Sequence, residues 1–132
     1  MPLKLTLKPN EKVLIGNAVI VNAGQKSEII IQNTVPVLRE RDIITEEKAD
    51  TLSKEIYFVI LNMYVDPDKE KKFHEIYFKL VNELFNAWHD ERVLILVMEI
   101  SRKILEGHHY QALKLCKKLV NFEAEVLANV TG

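Results

Sequence analysis

The hydrophobic period of this chain changes at Thr45. Before it, apolar residues alternate with polar ones or gather in short β-branched runs. After it, they recur every three or four residues. The first pattern buries one face of a strand and the second one stripe of a helix. A chain that switches once in this way has strands first and helices second. That is the α+β class, here a small N-terminal antiparallel β domain followed by a four-helix unit. The expected division is 1–43 for the β domain and 44–132 for the helical domain.

In the β part, Leu3, Leu5 and Leu7 alternate with Lys4, Thr6 and Lys8. One face is therefore apolar, and the other carries two lysines beside a threonine. Pro9-Asn10 favours a turn. Val13–Ile15 and Ala18–Val21 read as strands joined through Gly16-Asn17. Residues 22–27 read as a loop, and Glu28–Gln32 as a strand rich in β-branched residues. Val35–Arg39 reads as a last strand, confined to a sheet edge by Pro36. Arg39-Glu40-Arg41-Asp42 then forms a compact charged cluster, which reads either as a solvated face or as a pair of arginines on the side of Lys4 and Lys8.

In the helical part, Thr45 before Glu46-Glu47 predicts a helix N-cap with acids in the first turn. Leu52, Ile56, Val59, Ile60 and Met63 share a stripe that Tyr57, Phe58 and Tyr64 widen, so this helix is expected to pack on more than one side. Asp66-Pro67 ends it and starts the next. A complete apolar stripe runs from Phe73 to Trp88. Asp90 suits a third N-cap, and Val93–Met98 is apolar on every side, which predicts a central helix. Gly107 is a C-terminal stop. A fourth helix carries Leu113, Cys116, Leu119 and Val120, with Lys114, Lys117 and Lys118 on its opposite side.

Composition bounds the chemistry. The net charge of −1 gives no global attraction to nucleic acid. Residues 1–43 nevertheless hold six of the 18 Lys and Arg against four of the 19 Asp and Glu, so the β part is mildly basic. The single cysteine, Cys116, can form no internal disulfide and reads as a small buried hydrophobe. The four glycines are scattered, which excludes a Gly-rich phosphate loop. No Cys or His spacing suits zinc, and no nucleophile completes a triad with the histidines. No enzyme, metal or cofactor is expected. The longest apolar run, Val93–Met98, is too short to span a bilayer, and no signal peptide opens the chain, so a soluble cytoplasmic protein is expected.

Several stretches, in order, resemble the FlbT family of flagellar regulators. They are Pro2-Leu3-Lys4-Leu5, Lys8-Pro9-x-Glu11-Lys12, Ile15-Gly16-Asn17-Ala18-Val19-Ile20, Ile56-Tyr57-Phe58-Val59 with Asp66-Pro67, Tyr110-Gln111-Ala112-Leu113-Lys114, and Glu123-Ala124-Glu125-Val126-Leu127. The resemblance covers nearly the whole chain. It implies a post-transcriptional regulator of flagellin that recognises the 5′ untranslated leader of flagellin mRNA and represses its translation or stability, with FlaF as a flagellar partner. Within the β part, Leu5-Thr6-x-Lys8-x-x-Glu11-x-x-x-Ile15-Gly16-x-x-Val19 also resembles the carbon-storage regulator (CsrA) family. Those are strand-swapped dimers that bind mRNA leaders through basic residues of the first strand and an arginine near the end of the last. Lys8 matches one basic position; Leu7 stands where that family has another. Arg39 or Arg41 corresponds to the arginine.

Two functional expectations follow. In the first, Lys4, Lys8, Lys12, Arg39 and Arg41 hold phosphates of an mRNA leader while strand edges meet unpaired bases, and a homodimer closed by exchanged strands doubles the surface. In the second, the helical half is an adaptor that docks flagellin or a FlaF-like protein without touching RNA.

Overall fold

The computed structural model describes residues 2–131, with side chains as far as residue 129. The chain divides into two compact units, Met1–Ile43 and Ile44–Gly132. The first holds antiparallel strands and the second four helices, the α+β order that the change of period predicts.

The β unit has two small sheets. Strand β1 (Leu3–Leu7) pairs antiparallel with β4 (Ser27–Ile31), Leu3 opposite Ile31 and Leu7 opposite Ser27. Strand β2 (Lys12–Ile15) lies between β3 (Ala18–Val21) and β5 (Val37–Arg39), antiparallel to both. The alternation in β1 holds over most of the strand: Leu5 and Leu7 are buried and Lys4, Thr6 and Lys8 are exposed, but Leu3, at the strand's start, is exposed too. Leu5 and Leu7 meet Val13, with Ile15, Ile29, Ile31 and Val37 packed around them. One apolar cluster thus serves both sheets. The β2–β3 hairpin closes through Gly16-Asn17, and Gly16 takes φ +60, a conformation that favours glycine in the first position of a two-residue turn.

The β unit is too small for apolar burial alone to fix its loops. Asn22 does much of that work. Its side-chain Nδ2 donates to the carbonyls of Leu7 and Lys8, both at 3.1 Å, and of Gln25 at 2.9 Å. Its Oδ1 accepts from the Gly24 N–H at 3.2 Å. Its backbone carbonyl accepts from Asn10 at 2.6 Å, and its N–H donates to Glu11 at 3.0 Å. One residue thereby ties the turn after β1 to the loop before β4.

In the helical unit, α1 (Leu52–Val65) packs on α2 (Glu70–Ala87) and on α4 (His109–Thr131), and α3 (Glu91–Leu105) packs on α4. The width of the α1 stripe has its expected consequence, with burial on more than one side of the helix. Asp90 caps α3 by accepting from the Arg92 N–H at 2.8 Å. Gly107, at φ +83, ends the turn after α3. Cys116 is fully buried, and burial pushes its thiol well above the usual range. Its Sγ lies 3.8 Å from the Ser53 carbonyl. The buried Glu123 carboxylate of α4 accepts from the Ser53 hydroxyl of α1. Near the helix starts, Glu70 Oε1 lies 2.5 Å from His109 Nε2 and 3.5 Å from His74 Nε2.

Two local expectations are corrected. Thr45 caps no α-helix. Glu46–Lys48 is a single 3-10 turn without a side-chain cap, and the cap of α1 is Thr51, whose hydroxyl accepts from the Lys54 N–H. The reason is burial. Residues 45–51 offer no apolar face, and an isolated helical turn does not stand alone. Nor is α3 central. It rests on α4, and Tyr77 of α2 reaches its Ser101 through a 2.7 Å hydrogen bond, but Leu94, Ile95 and Met98 remain exposed. The all-apolar run Val93–Met98 has an uncovered side here.

The Ser53–Glu123 contact gives one prediction. Ser53→Ala removes the partner of a buried carboxylate and should cost about 1–3 kcal/mol, measured by chemical unfolding. Glu123→Gln, which keeps a hydrogen-bonding group without the charge, should cost less than Ser53→Ala. Tyr77 gives another. Burial raises its phenol from 10.0 to about 12, so ionisation favours the unfolded chain. The stability it contributes is complete below pH 10 and is lost as pH rises toward 12. Tyr77→Phe should flatten that alkaline loss in melting temperatures taken across the same range.

Candidate nucleic-acid interface

The strongest concentration of positive side chains in the β unit surrounds a cleft of about 720 Å³. Its cations are Lys8, Lys26, Arg39 and Arg41, and its acids are Glu11 and Glu40. Thr6, Pro9 and Asn10 complete the wall.

Each position follows from local structure. Lys8 lies just beyond the end of β1, where the alternation that buries Leu5 and Leu7 turns it outward. The turn after it is closed by the Lys8 N–H donating to Glu11 Oε1 at 2.9 Å and by the Glu11 N–H donating to the Lys8 carbonyl at 3.1 Å. Asn10 takes φ +65, a region that asparagine tolerates better than most residues. Arg39 ends β5 opposite Val13. Its guanidinium donates to the Thr6 carbonyl at 3.3 Å and lies 3.5 Å from the Glu11 carboxylate, so it braces the cleft as well as charging it. Arg41 lies in the exposed turn Glu40–Asp42. Among the described residues, the Lys8, Lys26 and Arg41 side chains form no ion pair. Glu11 is engaged by Arg39, which leaves the cleft's free charge positive.

Of the five residues expected from sequence, three meet here: Lys8, Arg39 and Arg41. Lys4 does not line the cleft; its ammonium pairs with Glu28 at 2.8 Å on the exposed face of the β1–β4 sheet. Lys12 opens β2 opposite Val21, exposed and also outside the lining. Lys26 was missed. The β1–β4 register sets Leu7 opposite Ser27, and one more step brings Lys26 toward Lys8. The loop position gave no such signal, because the pairing register cannot be read from either strand by itself. Asn22 was missed too, although its hydrogen bonds hold both the Lys8 turn and the Gln25 carbonyl beside Lys26.

The arrangement offers cations, a strand edge and a groove, which together suit a phosphate backbone with unstacked bases. It offers no nucleophile with a base. Among the described residues, no group of three or more His, Cys, Asp or Glu is placed to hold a metal ion. None of the described helices is long and apolar enough to cross a membrane.

Comparison with known proteins adds what geometry cannot. A family model described as "Flagellar protein FlbT" matches residues 3–127. A Caulobacter vibrioides protein named "Flagellum biosynthesis repressor protein FlbT" is 36% identical over 132 residues, spanning 100% of this chain and 94% of its own length. From Bradyrhizobium diazoefficiens, "Probable flagellum biosynthesis repressor protein FlbT 1" is 39% identical over 127 residues, 96% of this chain and 85% of its own. A "Probable flagellum biosynthesis repressor protein FlbT" from Rhodopseudomonas palustris is 36% identical over 128 residues, 97% of this chain and 99% of its own. No solved structure matches. With the match running from the first strand into the last helix, this chain belongs to the FlbT family of flagellar proteins.

Proposed function

We propose that this chain represses flagellum biosynthesis after transcription, by binding the 5′ untranslated leader of flagellin mRNA and lowering its translation or stability. The names of its relatives support the regulatory part. The cleft supports the RNA part: Lys8, Lys26, Arg39 and Arg41 surround a groove of about 720 Å³. Phosphates lie against Lys8, Lys26 and Arg41, and exposed bases of a loop face the wall between Thr6 and Asn10. With so few cations, counterion release alone gives modest affinity. Base contacts and a second copy of the chain supply the rest, and two clefts on a homodimer gain through avidity. The chain acts in the cytoplasm, where the message is, and FlaF or flagellin reports to it as a protein partner.

Titration of purified chain with flagellin leader RNA tests this. Lys8→Glu with Arg41→Glu should weaken binding, while stability changes by no more than about 0.5 kcal/mol because both side chains are exposed. The slope of log affinity against log salt should fall by roughly 0.7 for each phosphate that the variant no longer holds. Lys114→Glu with Lys118→Glu, on α4, is the internal control and should leave RNA binding intact. If that control abolishes binding while the cleft variant binds normally, the RNA site lies in the helical unit. If neither changes an unmeasurable affinity, the chain acts on flagellin synthesis through a protein.

A further inference from the structure

The uncovered side of α3 carries a defined pattern. Leu94 is 43% exposed, Ile95 58%, Met98 63% and Leu105 68%. Helical spacing sets Glu91, Leu94, Ile95, Met98, Arg102 and Leu105 on one outward arc. The arc is apolar in its middle, acidic at its N-terminal end and basic toward its C-terminal end. Beside the acidic end is a hollow of about 220 Å³, whose apolar lining comes from Phe85, Trp88 and Leu94.

We propose that a second copy of this chain docks on α3, helix against helix and antiparallel, through this arc. The inference rests on the homodimer reading above and names its surface. A two-fold axis between Leu96 and Val97 sets Glu91 of one copy opposite Arg102 of the other, twice by symmetry. The same register puts Ile95 against Met98 across the axis. It also carries Leu105, one turn past Arg102, just beyond the partner copy's Glu91, toward the hollow lined by Phe85, Trp88 and Leu94. A parallel arrangement would set Glu91 against Glu91 and Arg102 against Arg102, so the charges choose the direction. Arg102 is free to turn to a partner, since its only ion pair among the described residues is a long 3.9 Å contact with Glu106 on its own helix. Another exposed apolar edge, β3 at Ala18–Val21, has no charged residue within the strand to set a register.

Sedimentation equilibrium of the full chain at micromolar concentration, with helix content followed by circular dichroism, provides the test. The wild type should be a dimer. Glu91→Arg and Arg102→Glu should each weaken dimerisation about tenfold or more, because each brings like charges together twice. The double variant restores opposite pairing and should recover near wild-type association, which a merely structural role for either residue would not produce. Met98→Asp should give a folded monomer. A dimer indifferent to all four overturns the α3 interface but leaves the homodimer standing, and its loss in Val19→Lys would then move the interface to the β3 edge. A monomeric wild type overturns both.

Discussion

The side chain of Asn22 is the interaction on which the cleft depends. The apolar cluster of Leu5, Leu7 and Val13 holds the two small sheets together, but it cannot shape the loops that carry the cations. Asn22 reaches the carbonyls of Leu7, Lys8 and Gln25 at once, and its backbone joins Asn10 and Glu11. The turn that displays Lys8 and the loop that ends in Lys26 are thus fixed to one point. Arg39 closes the opposite wall by bonding to Thr6 and Glu11. Two polar side chains therefore position the wall, and Lys8, Lys26 and Arg41 are left to meet a ligand.

The helical unit solves a different problem. It has ample apolar surface, and polar contacts pin its packing in a few places. Ser53 with Glu123 joins α1 to α4, and Tyr77 with Ser101 joins α2 to α3. A buried carboxylate facing a hydroxyl favours one register of α1 on α4, since a slip would leave the charge without its partner. Surplus apolar surface remains on α3. It is made of Leu94, Ile95, Met98 and Leu105, which the packing of α3 on α4 leaves exposed.

Much of this architecture was legible in the sequence, because periodicity reports burial directly. The alternation from Lys4 to Lys8 gave the buried and exposed faces of β1, and Asp90 and Gly107 marked the ends of α3 through backbone needs that few residues meet. Thr45 misled because a capping residue says nothing about whether an apolar stripe follows it. Val93–Met98 misled because a run that is apolar on every side does not say which of its sides the neighbouring helices cover. In the cleft, Lys8, Arg39 and Arg41 were legible as charges beside strands. Lys26 and Asn22 were not, since their roles depend on which strand lies opposite which.

Cross-linking of leader RNA to the wild-type chain, with the modified peptides located by mass spectrometry, decides which surface holds RNA. Adducts are expected within residues 6–11 and 26–41, protected by unlabelled leader and not by an unrelated RNA. Adducts confined to the helices, or equal labelling by both RNAs, would contradict a leader-binding site in the cleft.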